Sequence, residues 1–324
     1  HRLIRGSRIT WNYQPCPTTI WTITYDHLCG SINLNYDFPS RWIAWDLGIQ
    51  TRRLQVFQEE RNKGEWEVML LEVNGLTKNF GGLSAVSNVS MKVNKGELIG
   101  LIGPNGAGKT TFFNLLTGVY EPTEGTVSLE VDGQLKNLNG LAPYKRTSLG
   151  MARTFQNIRL FKDLTVLENV MIAMHAHSSD SLFSTLFRTK KYYDTEAKMR
   201  EEAIELLKIF ELDTLKDEKA KNLAYGQQRE LEIVRALATK PKILFLDEPA
   251  AGMNPQETAQ LTELIAKIQR EFDLTVVLIE HDMSLVMKIC QRIYVLEYGR
   301  LLAEGTPEEI KQNPAVIKAY LGGE

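Results

Sequence analysis

The stretch Gly103-Pro104-Asn105-Gly106-Ala107-Gly108-Lys109-Thr110 decides how this chain reads. It fits G-x-x-x-x-G-K-[ST], the phosphate-binding loop. Upstream, Leu98-Ile-Gly-Leu-Ile102 is an apolar run that reads as a buried strand. Downstream, Lys109 to Leu116 reads as a helix closed by Gly118. A strand, a glycine turn and a helix N-terminus aim several backbone N–H groups at one point, and that point favours a polyphosphate. Gly106 and Gly108 let the backbone approach the phosphates, Lys109 reaches toward the β- and γ-phosphates, and Thr110 is placed to ligate Mg²⁺. The bland reading is a glycine turn ahead of a helix. At average composition a chance match in a chain of this length is of order one in a hundred.

Two further strand ends carry chemistry. Ile243-Leu-Phe-Leu246 is an apolar strand that runs into Asp247-Glu248. Two carboxylates at a strand end, in a chain with a phosphate loop, match the Walker B arrangement: Asp247 for Mg²⁺, Glu248 as the general base that polarises the attacking water. Read alone, the pair is equally well an acidic turn before Pro249. Leu274 to Ile279 is a third apolar strand, ending in Glu280-His281-Asp282. If it lies parallel to the others, His281 emerges at their C-terminal edge, where ligands of open α/β sheets bind, as a γ-phosphate contact. His175 and His177 sit beside a polar Ser-Ser-Asp run and read as uninvolved. The segment Leu223-Ala224-Tyr225-Gly226-Gln227 opens a helix after a glycine turn, a second anion-binding N-terminus and a weak signal by itself.

The chain has 324 residues, 43% hydrophobic and 24% charged, with a net charge of −2. That supports a large domain, or a domain with an appendage, and argues against a nucleic-acid footprint. There is no run of about 18 apolar residues. A membrane role therefore comes through partners. Cys16, Cys29 and Cys290 have neither metal spacing nor a disulfide pattern, which makes a reducing cytosol the default.

Composition breaks near residue 68. All five tryptophans lie before it, with seven arginines against Lys63 alone; afterwards lysine outnumbers arginine twenty to ten. The first methionine is Met69. Residues 1–68 have no sustained periodicity and so cannot bury enough apolar surface to offset their ordering entropy. They are expected to be translated upstream sequence from an over-extended gene model, disordered or loosely packed; a genuine extension is the runner-up. N-terminal sequencing of the native protein checks this, and a start well upstream of Met69 overturns it.

Taken together, the motifs resemble the ATP-binding subunit of ABC transporters. The order is that family's: phosphate loop, Gln156 within Ala152-Arg-Thr-Phe-Gln-Asn157, Leu223-Ala-Tyr-Gly-Gln227 in place of the LSGGQ signature, Ile243-Leu-Phe-Leu-Asp-Glu-Pro249, then Glu280-His-Asp282. The resemblance covers residues 69–324. It implies an α/β fold, a P-loop NTPase (RecA-like) core with an antiparallel β region and a helical subdomain at about 157–238. It implies ATP and Mg²⁺ as cofactors. The nucleotide contacts it implies are Phe80 on the adenine, Gly103, Pro104, Asn105, Gly106, Ala107, Gly108, Lys109, Thr110 and Thr111 around the phosphates, and Leu223, Ala224, Tyr225, Gly226 and Gln227 facing the other subunit's ATP. It implies Thr110, Gln156 and Asp247 at the metal, and Glu248, His281 and Gln156 in catalysis.

Leu70 to Val86, Gly150 to Phe161 and the ending Ala319-Tyr-Leu-Gly-Gly323 look like the LivG branch of branched-chain amino acid importers. So does an extra piece at Ser178–Tyr193, which lipopolysaccharide-export relatives typically lack. That branch implies a heterodimer sandwich with a second ATPase subunit, two integral-membrane permeases, an extracytoplasmic substrate-binding protein, no nucleic acid, and a peripheral place on the cytoplasmic face of the membrane. The alternatives are another ABC system, such as lipid or lipopolysaccharide export or urea uptake, and a soluble non-transport ABC ATPase. Three departures stand out. Ala224 replaces the signature serine, Tyr225 replaces its first glycine, and Asn254 stands where many relatives carry Asp. The stripe Met199, Ala203, Leu206, Leu207 and Phe210 reads as core packing, and Thr306-Pro-Glu-Glu309 as a capping box.

Overall fold

The computed structural model describes residues 68–175 and 190–321. The expectations for residues 1–67, and for Ser178–Tyr193 as far as residue 189, lie outside the described residues.

Chain order begins with two long strands, β1 (Met69–Phe80) and β2 (Leu83–Asn94), and then β3 (Leu98–Ile102), the apolar run ahead of the phosphate loop. Helix α1 (Lys109–Leu116) leaves that loop. A hairpin, β4 (Glu124–Val131) and β5 (Gln134–Asn137), joins β1 and β2 in an antiparallel sheet ordered β2-β1-β4-β5. A short helix α2 (Pro143–Ser148) leads to β6 (Met151–Arg153). Among the described residues three α-helices follow: α3 (Val166–His175), α4 (Lys190–Ile209) and α5 (Tyr225–Leu237). They pack on one another. The chain then alternates β7 (Ile243–Asp247), α6 (Pro255–Glu271), β8 (Thr275–Ile279), α7 (Met283–Ile289) and β9 (Arg292–Glu297). It ends with β10 (Arg300–Gly305), α8 (Pro307–Gln312) and α9 (Pro314–Leu321).

The second sheet is ordered β10-β9-β3-β8-β7-β6 and is parallel except for β10. Every residue of β3, β7 and β8 is buried. A strand covered on both faces must be apolar throughout, which is why these three read as continuous runs rather than alternating ones. Strand β8 lies between β3 and β7, parallel to both, so the three strand ends that carry the motifs share one edge.

Apolar residues cover both faces of that sheet. On one side Phe112 and Phe113 of α1 join Leu71, Val73 and Val127 of the antiparallel sheet, and Phe113 meets Phe245 of β7 edge-on at 5.4 Å. On the other side the three-helix group contributes Val170, Ala203, Leu207, Phe210, Leu231 and Val234. The expected stripe on α4 is therefore core, with Met199 and Leu206 partly buried beside it. The capping box also forms: Thr306 N–H donates to Glu309 Oε2 at 2.8 Å, and Thr306 Oγ1 accepts from Glu309 N–H. Among the described residues no helix is long and apolar enough to cross a membrane.

One position on α5 opposes folding at neutral pH. Burial, then the nearby Glu211 and Glu257, push the Glu230 carboxyl up from 4.5 to about 7. Below pH 4.5 the folded and unfolded chains both hold this proton. As pH rises toward 7 the unfolded chain ionises first, so this group removes stability through that window and the loss is complete above it. Glu230→Gln is therefore expected to melt a few degrees above the parent at about pH 8, with the gain vanishing near pH 5. Thermal denaturation at both pH values checks it; an equal difference at both overturns it.

Candidate functional site

The phosphate loop is shaped by what its glycines exclude. Gly103 has φ 151, and a Cβ there would stand 2.1 Å from the Leu296 carbonyl oxygen of the neighbouring β9. Only glycine lets β3 turn so close to that strand. Gly106 has φ 79 with nothing within 4 Å of a Cβ, so its backbone borders open space. Lys109 curls back over the loop, its Nζ donating to Gly103 O at 2.7 Å and Pro104 O at 3.1 Å. Burial pulls its pKa down, against an upward pull from Glu248.

A cleft of about 490 Å³ opens beside this loop. Asn105 to Thr111, Glu248, His281, Leu83 to Ala85, Tyr298 and Gly299 line it. Glu248 is held from two sides. Its Oε2 accepts from Gln156 Nε2 at 2.8 Å, and its Oε1 lies 3.0 Å from His281 Nε2. The residue has φ +49, a left-handed conformation that costs a side chain about 1–2 kcal/mol. Its N–H donates to Ile279 O at 2.9 Å, which fixes the turn against the end of β8. Next to it the nearly buried Asp247 pairs with Arg153, whose Nη2 lies 2.6 Å from Oδ2. Arg153 also donates to Asn114 Oδ1 and Thr117 Oγ1, tying β6 to α1. Glu280, whose carboxyl burial pushes up, accepts N–H bonds from Ala250 and His281 and so joins the two strand ends.

A carboxylate positioned by an amide and an imidazole, beside an anion-binding loop, can orient a water and take its proton. The oxygen donors Thr110, Gln156 and Asp247 suit Mg²⁺, which usually takes one or two protein ligands and completes its shell with phosphates and waters. The donor types fit that ion: Gln156 gives its amide N–H to Glu248 and keeps its amide oxygen as an acceptor, while Asp247 Oδ2 is held by Arg153 and Oδ1 is its second acceptor.

The structure sets Glu248 and His281 in one cleft with Asn105 to Thr111 of the phosphate loop, and Gln156 joins them through Glu248; Asp247 stays outside the lining, nearly buried against Arg153. It does not bring Phe80 or Leu223 to Gln227 into the cleft lining. Phe80 is 43% exposed, edge-on to Tyr120 at 5.4 Å with Lys78 Nζ above its ring. The aromatic that does line the cleft is Tyr298, 83% exposed and at φ +46. Its position in the two-residue turn Tyr298-Gly299 between β9 and β10 was the available signal. The signature segment opens α5, with Ala224 as N-cap. Alanine has no side-chain acceptor, so only the reverse half of the cap forms, Ala224 N–H to Gln227 Oε1 at 3.1 Å. The N–H groups of the first helical turn keep no intrahelical acceptor. Asn254 caps α6 through the N–H groups of Gln256 and Glu257, both at 2.9 Å. Sequence reasoning also missed Arg153, Arg229, Glu232 and Glu280.

The family model described as "ABC transporter" matches residues 86–251, and one described as "Branched-chain amino acid ATP-binding cassette transporter" matches residues 300–324. The chain is 51% identical over 253 residues to the high-affinity branched-chain amino acid transport ATP-binding protein BraF of Pseudomonas aeruginosa, covering 78% of this chain and 98% of that protein. It is 49% identical over 253 residues to LivG of Escherichia coli K12, with the same coverage. Among solved structures it resembles the ADP conformation of MJ1267, an ATP-binding cassette of an ABC transporter, with a TM-score of 0.68 and 33% identity, covering 79% of this chain and 100% of that one.

Proposed function

Because the chain belongs to the family of ABC transporter ATP-binding proteins, we propose that it is the ATP-hydrolysing motor subunit of an importer of branched-chain amino acids. The observation that carries this reading is Glu248 at the nucleotide cleft, bridged to Gln156 and to His281. The match of residues 300–324 to the branched-chain cassette model supports the choice of solute class.

In this reading residues 69–324 are the ATPase domain, with the helical subdomain at about 157–238. Gly103 to Thr111 wrap the phosphates and Lys109 neutralises their charge. Thr110, Gln156 and Asp247 would hold Mg²⁺, which would supply positive charge to offset the phosphates. Glu248 accepts a proton from the attacking water, and His281 orients Glu248 and meets the γ-phosphate. Phe80, paired across the β1–β2 hairpin with the cleft-lining Leu83, offers its exposed ring to the base from beyond that lining. Leu223 to Gln227 face the cleft of a second ATPase subunit, where the free N–H groups at the start of α5 reach the γ-phosphate. The assembly comprises this chain, a different ATPase, two integral-membrane permeases and an extracytoplasmic binding protein, with the chain peripheral on the cytoplasmic face. ATP closes the two ATPases on each other, and hydrolysis lets them part.

Vesicles carrying the five components test this. ATP inside them should drive uptake of labelled leucine, isoleucine or valine, and omitting this chain should abolish it. Purified alone, the chain should elute as a monomer with slow turnover. A stable ATP-bound homodimer that supports uptake without the second ATPase overturns the heterodimer, and uptake that proceeds without this chain overturns the motor role.

A further inference from the structure

Two segments meet at one buried guanidinium, and a third reaches it through a tyrosine hydroxyl. Arg229 lies on α5, one turn after Tyr225, and is fully buried. Its Nη1 donates to Phe155 O at 2.7 Å and to Glu232 Oε2 at 3.0 Å. Its Nη2 donates to Gln156 O at 2.7 Å and to the Tyr225 hydroxyl at 3.3 Å. The Tyr225 hydroxyl in turn donates to Ala251 O at 3.0 Å, in the loop after β7, while its ring lies against Gly252. From the same face of α5, Glu232 accepts from the N–H groups of Phe155 and Arg159, and Arg235 donates to Arg159 O. The loop that carries Gln156 is therefore fastened to α5 by its backbone. Among the described residues, its side-chain bond to the cleft lining is the one from Gln156 to Glu248.

A charge this deep costs several kcal/mol to desolvate, and an apolar side chain of equal volume would fill the same space. What an apolar residue cannot do is fix two successive carbonyls at one angle. The planar fork of arginine does that, with its donors set at a rigid spacing. Tyrosine at position 225 adds the hydroxyl that ties the fork to the loop following the Walker B strand.

We propose that Tyr225 and Arg229 are positioning residues for hydrolysis: they set the backbone of Gln156 so that its amide meets Glu248, and they link that setting to the start of α5. The inference rests on the ATPase reading above. It makes the tyrosine in the signature segment part of a linkage within one subunit rather than a spacer. When α5 shifts, the Gln156 loop shifts with it, and the amide-to-carboxylate contact is made or lost.

The test uses the full chain in its transporter assembly, with the kcat and KM of ATP hydrolysis measured for Tyr225→Phe and Arg229→Lys. Tyr225→Phe keeps the ring against Gly252 and removes only the hydroxyl with its two hydrogen bonds, so the fold should be kept with a melting temperature at most a few degrees lower; Arg229→Lys keeps the charge beside Glu232 and loses the fork. Each should lower kcat about 10-fold with KM for ATP within about 2-fold, the size expected when a reacting group is displaced by a fraction of an ångström. The decisive comparison is made in a Gln156→Ala background. There the same substitutions should lower kcat by less than about 2-fold, because groups acting through one contact are not additive. Unchanged kcat in Tyr225→Phe, or an equal further loss in the Gln156→Ala background, overturns the positioning role and leaves the ATPase reading intact. A parent assembly that hydrolyses no ATP overturns the ATPase reading itself. If Arg229→Lys does not fold, Tyr225→Phe and its double variant decide the matter alone.

Discussion

Glu248→Gln is expected to bind ATP as the parent does and to hydrolyse it roughly 10²–10⁴ times more slowly, the usual range for a lost general base. The substitution is nearly isosteric. Its carbonyl oxygen can still accept from Gln156 Nε2, and its amide can still meet His281, so the two contacts that hold the side chain survive. The phosphate loop lining the same cleft is untouched. What is lost is the ability to take a proton, and with it the polarisation of the attacking water. Titration with a fluorescent ATP analogue separates binding from turnover, and phosphate release gives the rate. Turnover equal to the parent's would remove Glu248 from the mechanism.

Lys109→Ala is expected to weaken ATP binding by about 10²-fold or more, from the ~2–5 kcal/mol typical of truncating one partner of a buried, hydrogen-bonded charge pair. Lys109 is 6% exposed, and its ammonium already makes two bonds to the loop, to Gly103 O and Pro104 O. A nucleotide phosphate would give this nearly buried ammonium a full negative charge as partner. Alanine removes that interaction and leaves two loop carbonyls without their donor. Calorimetric titration with ATP and Mg²⁺ measures the change. Affinity within about 2-fold of the parent would show that Lys109 does not contact the phosphates.

Much of this site could be read before the fold was known. Strands β3, β7 and β8 are apolar along their whole length because both of their faces are covered, and each ends directly in its functional residues. Local sequence therefore carried both the strand and the chemistry. The order of the strands was not legible in the same way. That β8 separates β3 from β7 is a matter of pairing between segments more than 25 residues apart, which no local pattern encodes. Buried charge was the other blind spot. Arg229 and Glu232 occupy i and i+3 of α5, a spacing that in sequence looks like an exposed helical ion pair, yet both are buried against the Gln156 loop. Arg153 was quoted only as part of the run around Gln156, because its partners, Asn114, Thr117 and Asp247, lie on two other elements. Phe80 and Tyr298 illustrate the remaining gap. Both are exposed aromatics in hairpins, and only the three-dimensional arrangement puts Tyr298, and not Phe80, in the lining of the cleft.

The left-handed backbone at Glu248 matters to anyone who breeds this protein for robustness. A glycine there would relax the turn, since glycine enters that region at no steric cost. Selection by heat resistance alone would therefore favour that relaxation with no regard for a side chain the reaction depends on. A library screened for survival at high temperature, with no check on turnover, would enrich inactive clones at this codon. Hardiness and work are set against each other at a single residue, and a breeding scheme has to score both at once.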